Sequence, residues 1–460
     1  MPRERGTPRA GLRHGGSVTQ DALLAVGILM SSASQLRIGG TSIGPGELCL
    51  MLWLLLMSAQ ELARLGPPLT PPLRRILAFW VAFCLAQSLG TLTAVIIGDK
   101  HDPSWFLHDI LAYPLIAAFS ILSVVEPGSW ARLRRTAWLF VCFGALSLAV
   151  LLVNAAGFVD LRLVEPWYWE RLRGWSANPN QFALLCAGLA LVALHLAETA
   201  ATIGERTAAI ACAILAVLVG RLTGSDTFTL MIGFSILVFL GLKNWSWIRS
   251  GGPKLTLKVS IGWASLMFLP LLAVSMLPLA WSSGQQPGQF ALLLAKDSGK
   301  AVEAEADLRF QLWHEAINRG LQAWMLGLGP GPHLDIPAAL VAARMEMADQ
   351  PGSITHPEQN GAPNFEAHNT VLDLFVQGGI LADLAFIWLI LTAFRSSFRT
   401  GSAGLSTAVC SLVLFGMNNL IIRQPVFWFV IALCLVEEKP WLCRSASLPM
   451  RDGFQQSELA

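Results

Sequence analysis

Long apolar stretches recur along the whole sequence, and they constrain the fold more than any other feature. Most are about 18 to 25 residues long, enough for an α-helix to cross the hydrocarbon core of a lipid bilayer. We place about twelve of them, at residues 19–37, 44–60, 74–97, 106–125, 133–154, 180–198, 206–221, 226–243, 258–281, 369–394, 403–421 and 425–437. Only 13% of the residues are charged, against roughly 25% in a typical globular protein. A water-soluble protein is therefore excluded.

The distribution of basic residues predicts how these spans are oriented. Basic residues are retained on the cytoplasmic side of a membrane. Here they are concentrated in the N-terminal arm, in the connections that follow even-numbered spans and in the C-terminal tail. The pattern predicts an even number of spans with both termini in the cytoplasm. It also makes Arg132, Arg134 and Arg135 retention signals rather than candidates for a functional site.

The sequence therefore predicts an all-α protein, a polytopic membrane helix bundle of about 12 transmembrane helices. The predicted segments are a cytoplasmic basic arm at 1–18, transmembrane helices 1–9 at 19–281, an outer-face loop with amphipathic helices at 282–367, transmembrane helices 10–12 at 368–437 and a cytoplasmic tail at 438–460.

The loop at 282–367 is the one large hydrophilic segment between predicted spans. It contains an amphipathic helix that is expected to lie on the membrane or on the bundle, because six apolar residues recur at helical spacing. These are Ala306, Phe310, Trp313, Ile317, Leu321 and Trp324. The sequence GLGPGPH at 327–333 is rich in proline and glycine and is expected to end this helix. A second short helix is expected at 337–348.

The cysteines and histidines predict neither a disulfide framework nor a metal site. The eight cysteines lie inside apolar runs or in the tail, and no pair has the spacing of a metal or redox motif. His333, His356 and Glu358 likewise match no known spacing of metal ligands.

Three groups of polar residues at the outer ends of predicted spans are candidates for chemistry, because ionisable residues are costly near membrane depth. The first group, in RLRGWSANPNQFA, precedes span six. The second, in LRFQLWHEAI, lies on the amphipathic helix, and the third, in EAHNTVLDLFVQGGI, opens span ten. The candidate residues are Arg171, Arg173, Asn178, Asn180, Arg309, His314, Glu366, His368, Asn369 and Asp373.

Each group also has a purely structural interpretation. Arg171 and Arg173 can pair with Glu165 and Glu170 at the membrane interface, where such ion pairs are common. Arg309 can belong to a solvated helix face beside its acidic neighbours. A single histidine at a helix start is more often a capping or packing residue than a catalyst. The residue types alone leave these alternatives open.

In their order and topology, the three groups resemble the O-antigen ligase and O-antigen polymerase superfamily, bacterial envelope glycosyltransferases of the C-type class. The resemblance covers most of the chain, from the Arg and Asn-Pro-Asn segment before span six to the large outer loop with its Arg and Gly-rich turn. His368 and Asn369, followed by Gly379, match the ligase signature of that family. Ala382 stands where a second glycine is usual.

The resemblance implies roles for the candidate residues. His368 corresponds to the catalytic histidine, and arginines of the family hold a lipid-linked pyrophosphate. Asp226 departs from the pattern, because relatives commonly have arginine there, so Arg221 or Arg423 is left to supply the third phosphate contact. The expected pyrophosphate contacts are Arg171, Arg173, Arg221, Arg309 and Arg423, and the other expected substrate contacts are Asn180, His314, Glu366 and Asn369.

The resemblance also implies an activity. The expected protein is an inner-membrane glycosyltransferase with a periplasmic active site, whose donor is a polyprenyl-pyrophosphate-linked glycan and whose acceptor is a sugar hydroxyl of lipid A-core or of a growing glycan. The implied chemistry is an inverting displacement that needs no metal and no nucleotide. The expected partners are these substrates and membrane lipids, with no nucleic acid.

A membrane transporter for inorganic carbon or another small solute is the rival interpretation, since some members of the superfamily are described as transporters. A transporter is expected to show paired broken helices or inverted repeats, with ionisable groups at the bilayer midplane. In this sequence, the charged groups cluster instead at the outer ends of the spans, beside a large loop.

Overall fold

The computed structural model describes residues 14–38, 43–63, 68–99, 103–126, 129–159, 164–168, 170–250, 261, 298–335 and 364–436. Within these ranges the α-helices are α1 (His14–Met30), α2 (Pro45–Ala63), α3 (Pro71–Ile97), α4 (Pro103–Val124), α5 (Ser129–Ala155), α6 (Pro179–Thr199), α7 (Ile203–Arg221), α8 (Asp226–Ser250), α9 (Ser298–Gln322), α10 (Thr370–Thr400), α11 (Ala403–Gly416) and α12 (Pro425–Val436). Two antiparallel strand pairs join β1 (Trp167–Tyr168) to β2 (Arg171–Leu172) and β3 (Leu334–Asp335) to β4 (Asn364–Phe365).

The helices of the described part are those of a polytopic all-α membrane protein. Seven of them, α2, α3, α5, α6, α7, α8 and α10, are long and apolar enough to cross a membrane. Shorter apolar helical segments occur at Val18–Met30, Asp109–Val124, Ala403–Gly416 and Pro425–Val436. Every predicted span coincides with a helix except 258–281. Except for residue 261, that span lies outside the described residues, as does the predicted helix at 337–348.

Contacts between α6, α10 and α11 define the two ends of the bundle. A Cβ on Gly404, at the start of α11, would lie 2.7 Å from the Cα of His195 near the end of α6. At the other end of α11, a Cβ on Gly416 would lie 3.2 Å from the Oγ1 of Thr370, the first residue of α10. Helices α6 and α10 therefore both begin at one end, called here the upper end. The last turn of α10 lies at the opposite, lower end.

Apolar packing places α12 at the centre of the bundle. All of its residues from Pro425 to Val436 are buried, although twelve residues give a helix of only about 18 Å. Trp428 stacks on Trp80 of α3, with ring centroids 4.9 Å apart. The loop that precedes α12 also packs into the bundle, since Ile421 and Ile422 are buried.

A second, smaller apolar cluster attaches α9 to the upper half of α10. The cluster includes Leu312 and Ala316 from α9, Ala323 directly after it and Val376 from α10. Small residues allow the two helices to approach closely: a Cβ on Gly320 would lie 2.2 Å from the ring of Phe375. Packing therefore ties the position of α9 to that of α10.

The predicted helix in the loop is present, but a different face of it packs on the bundle. Of the predicted apolar stripe, Phe310, Ile317, Leu321 and Trp324 are exposed. Periodicity alone did not show that the smaller residues beside this stripe make the helix contact. The helix also ends at Gln322, before the Gly-rich sequence that was expected to end it.

Candidate functional site

A capping arrangement holds the chain at the start of α10. The side chain of Asn369 accepts hydrogen bonds from the backbone N–H groups of Val371 and Leu372, at 3.1 and 3.3 Å. In return, the carboxylate of Asp373 accepts from the N–H groups of Ala367 at 2.7 Å and of Asn369 at 3.2 Å. Such reciprocal bonds satisfy donors that a helix start leaves unpaired. The backbone on both sides of residue 368 is therefore fixed.

His368 lies between these fixed residues with an exposed side chain and a φ angle of 51°. A positive φ is uncommon for a residue with a Cβ and costs free energy. Strain of this kind is found at functional sites, where the surrounding contacts maintain it. The capping of α10 thus presents an imidazole at the surface of the upper end.

Arg423, whose side chain is 13% exposed, lies between two carboxylates. Its guanidinium lies 3.2 Å from Asp109 Oδ1 and 2.6 Å from Glu366 Oε1. Burial alone would lower the pKa of Arg423, but Glu366 and Asp109 outweigh that effect and hold its pKa above the ordinary value. Because Arg423 has two anionic partners, its charge is largely compensated within the protein. The cluster links α4, the start of α10 and the loop before α12.

Arg309 on α9 reaches the same loop, which runs from residue 417 to 424. Its guanidinium donates to Asn418 Oδ1 at 2.9 Å, and its side chain is half-buried. Thr370 contacts this loop from the other side, since its hydroxyl donates to the carbonyl of Asn419 at 2.6 Å and accepts from the N–H of Ile421 at 3.0 Å. The loop therefore brings Arg309 and the start of α10 to one place.

Helix α10 is broken at Gly379, eleven residues after the histidine. This glycine has φ 62° and ψ −163°, a combination that only glycine adopts readily. The break leaves carbonyl groups without their usual helical donors. The chain after α9 supplies them: Leu328 N–H donates to the Val376 carbonyl at 2.8 Å, and Gly329 N–H to the Gln377 carbonyl at 2.7 Å. Non-helical backbone at membrane depth is tolerated when other protein groups satisfy it in this way.

Helix α3 also packs against the break in α10. The N–H of Ile380 donates to the Met325 carbonyl at 3.0 Å. On α3, Gly90 lies so close that a Cβ there would meet the Gln377 carbonyl at 2.4 Å and Gly329 N at 2.6 Å. The GLGPG sequence thus serves to join α9, α10 and α3, which the sequence did not indicate.

Arg171, Arg221 and Asn180 belong to a second polar group at the upper end. Arg171 donates to the carbonyl of Thr223 at 2.9 Å and to Asn180 Oδ1 at 3.1 Å. Arg221 hydrogen-bonds Thr229, in the first turn of α8. This group joins the segment before α6 to the loop between α7 and α8.

Arg173 makes the ion pair with Glu165 that was the structural alternative in the sequence analysis. It is 6% exposed, donates to Glu165 Oε2 at 2.7 Å and lies over the ring of Tyr168, 5.5 Å from the centroid. Arg171 instead has the partners given above, and no described contact joins it to Glu170. His314 is exposed and hydrogen-bonds Asn318 one turn further along α9, at 3.0 Å.

The structure thus divides the sequence-predicted residues into two groups at the same end of the bundle. Arg309 contacts the loop at 417–424, Arg423 of this loop pairs with Glu366, and Thr370 joins the loop to the start of α10, where His368 and Asn369 lie. The arginines before α6, Asn180 and Arg221 form the other group, and no contact between described side chains joins the two.

The first group contains two partners that sequence reasoning did not select, Asp109 and Asn418, and the candidate Asp373 in a capping role that was not predicted. Of these, only Asp373 had a local signal, because a polar N-cap followed one turn later by a carboxylate is typical of a helix start. Among the described residues, no set of three or more His, Cys, Asp or Glu side chains is placed to hold a metal ion.

The many apolar helices and this polar site at one end define a class, a multi-pass membrane protein whose polar groups meet at one end of the bundle. Residues 208–387 match the sequence model of the family described as O-antigen ligase. The match includes α8, α9, His368 and the break in α10. This match supports the resemblance to the O-antigen ligase and polymerase family that the sequence indicated. No curated protein matches the chain.

Proposed function

We propose that the protein is an inner-membrane glycosyltransferase that transfers a glycan from a polyprenyl-pyrophosphate donor to a sugar hydroxyl. The acceptor is lipid A-core if the protein is a ligase, or a growing lipid-linked glycan if it is an O-antigen or exopolysaccharide polymerase. The upper end then faces the periplasm, and both termini lie in the cytoplasm. The family match over residues 208–387 supports glycosyl transfer in general, and the site supports this particular form of it.

One observation carries the proposal: an exposed, strained histidine lies at the start of α10, beside the loop that Arg309 contacts. A neutral imidazole can accept a proton near neutral pH. A guanidinium stays charged at any relevant pH and forms paired hydrogen bonds with phosphate oxygens. These are the two groups that transfer from a diphosphate donor requires.

In the proposed reaction, the acceptor hydroxyl oxygen attacks the anomeric carbon of the donor glycan. His368 takes the proton of that hydroxyl as the new C–O bond forms. The bond between the anomeric carbon and the pyrophosphate breaks, and Arg309 stabilises the departing negative charge, with Arg173 and Arg171 as further candidates. A single displacement inverts the anomeric configuration. Arg423 acts as a positioning residue, since its own charge is already paired with Asp109 and Glu366.

Replacing Arg309 with alanine tests this assignment in cells. Loss of one charged donor to a developing anion typically lowers a rate about 10²- to 10³-fold. We therefore expect Arg309→Ala to abolish surface polysaccharide and to cause the lipid-linked precursor to accumulate, at unchanged protein abundance. Arg319→Ala is the matched control, because Arg319 lies on the same helix but pairs with Asp99 at 3.6 Å. A normal amount of polysaccharide in Arg309→Ala cells would show that Arg309 has no role in the reaction.

A transporter remains the second candidate, because the break at Gly379 and a buried carboxylate one turn below it are features of transport proteins. Asp383 is buried, and its Oδ1 has no hydrogen-bond partner among the described residues. On α3, the buried amide of Gln87 likewise has no partner within the described part of the chain. Both groups lie below the proposed catalytic site.

Asp383→Asn separates the two candidates. If the protein is a transferase, this variant is expected to keep polysaccharide near the wild-type level, because Asp383 has no part in the proposed reaction. His368→Ala is expected to lose it. A transporter that uses a carboxylate at membrane depth would give the reverse pattern, in which Asp383→Asn is inactive and His368→Ala is active. Polysaccharide analysis together with a solute-uptake assay on both strains decides between them.

A further inference from the structure

A cavity of about 370 Å³ opens between α3 and α10 at the lower end of the bundle. Its lining includes Arg75 from α3 and Trp388, Thr392, Arg395, Ser396 and Arg399 from α10. Arg395 follows His368 by 27 residues, which at about 1.5 Å per helical residue puts the cavity roughly 40 Å from the proposed catalytic histidine. It is therefore a separate site.

The charges around this cavity are of one sign. Arg75, Arg395 and Arg399 contribute three guanidinium groups, and none of the lining residues is acidic. In the described part of the chain, none of the three has a carboxylate within ion-pair distance. Retention of basic residues on one side of a membrane requires only that the charges be present. It does not require two helices to direct them into one cavity that hydroxyl groups also line.

Three guanidinium groups that have no carboxylate partner among the described residues, together with hydroxyl donors, match a phosphate group. Arginine binds phosphate through paired, charge-assisted hydrogen bonds, and threonine and serine hydroxyls add further donors. The volume lies within the roughly 300 to 1,000 Å³ that is usual for small-molecule sites.

An apolar track on α10 leads directly to the cavity. Leu384, Trp388 and Leu391 are 56%, 41% and 55% exposed, and their spacing of three and four residues puts them on one helix face with Arg395. Exposed leucines of a membrane-spanning helix contact acyl chains, and tryptophan favours the level of the lipid headgroups. A lipid with its phosphate in the cavity would place its chains on this track.

We propose that this cavity binds the phosphate headgroup of an anionic membrane lipid such as phosphatidylglycerol or cardiolipin. A zwitterionic lipid would bring its own cation close to the three arginines and is disfavoured. The bound lipid would join α3 to the lower half of α10 and hold the two helices together below the break at Gly379. A soluble phosphate compound could satisfy the same arginines but would leave the apolar track unused.

Thermal unfolding of the purified full-length protein in detergent tests the site. We expect added phosphatidylglycerol or cardiolipin to raise the unfolding midpoint more than phosphatidylcholine does. In Arg395→Gln/Arg399→Gln the apparent affinity for the anionic lipid is expected to fall at least about tenfold, as loss of charged hydrogen bonds predicts. Arg395→Lys/Arg399→Lys keeps both charges and is expected to recover only part of the affinity, because lysine lacks the paired donors.

Arg74→Gln is the matched control, because Arg74 is the exposed neighbour of Arg75 and does not line the cavity. It is expected to respond to lipid as the wild type does. Equal responses of the double glutamine variant and the wild type would overturn the proposal. A midpoint shift of the same size with glycerol phosphate or inorganic phosphate alone would also overturn it, because the ligand would then be a soluble phosphate rather than a lipid.

Discussion

His368→Gly is expected to abolish glycan transfer while leaving the protein as stable as the wild type or slightly more stable. Removal of a general base typically lowers a rate about 10²- to 10⁴-fold. The positive φ of 51° at this position costs a residue with a Cβ about 1 to 2 kcal/mol. Glycine relieves that cost, although the greater freedom of the unfolded chain offsets about 0.5 to 1 kcal/mol of the gain. Function and stability should therefore change in opposite directions.

His368→Ala is the matched variant, because it removes the imidazole and keeps the strained backbone. Both variants are expected to lose transfer. The glycine variant is expected to unfold at a higher temperature than the alanine variant. The measurements are thermal unfolding of the two purified proteins and the amount of surface polysaccharide in the corresponding cells. Polysaccharide at normal levels in both strains would show that His368 has no catalytic role.

Among the glycines that the structure describes, Gly379 is expected to be the most damaging to replace with alanine. A Cβ at this position would lie 2.1 Å from the Met325 carbonyl oxygen and 2.6 Å from the Leu326 carbonyl carbon. The backbone conformation is also one that alanine adopts only with strain. Together these effects are expected to cost roughly 2 to 6 kcal/mol of unfolding free energy. The added methyl group would push the segment after α9 away from the break in α10.

Gly401→Ala measures the cost of backbone strain alone, without the steric clash that is expected at Gly379. Gly401 also has a positive φ, 81°, but a Cβ there would have no neighbour within 4 Å. Its replacement is expected to cost only about 1 kcal/mol. Unfolding midpoints and expression levels of the two variants provide the comparison. If Gly379→Ala were no less stable than Gly401→Ala, the junction between α9 and α10 would not hold the site together.

Local sequence patterns were sufficient to predict most of the helices and the start of α10. Spanning helices need runs of apolar residues because their backbone must be satisfied within the helix, so hydropathy located α10 at 369–394 against the observed Thr370–Thr400. Asn369 was expected at the start of span ten, and it is the N-cap of α10. These features depend on neighbours within one or two helical turns.

Contacts between segments that are far apart in the chain could not be predicted from local sequence patterns. The pairing of Arg423 with Asp109 joins residues more than three hundred positions apart, and no periodicity indicates it. The packing face of α9 was also missed, because hydropathy favours large apolar residues such as Phe310, whereas Ala316 and Gly320 make the close contact. Helix packing at short distance selects small residues, and a hydropathy pattern gives these little weight.

Reconstitution of the purified protein with a lipid-linked repeat unit tests the central claim most directly. With the wild type and a metal chelator present, we predict transfer of the glycan with inversion at the anomeric carbon and release of the polyprenyl pyrophosphate. Products linked to added lipid A-core would identify a ligase, and lengthened lipid-linked chains a polymerase. The same assay with His368→Ala is predicted to give no product. Equal product from wild type and His368→Ala, or no transfer by the wild type to either acceptor, would contradict the account.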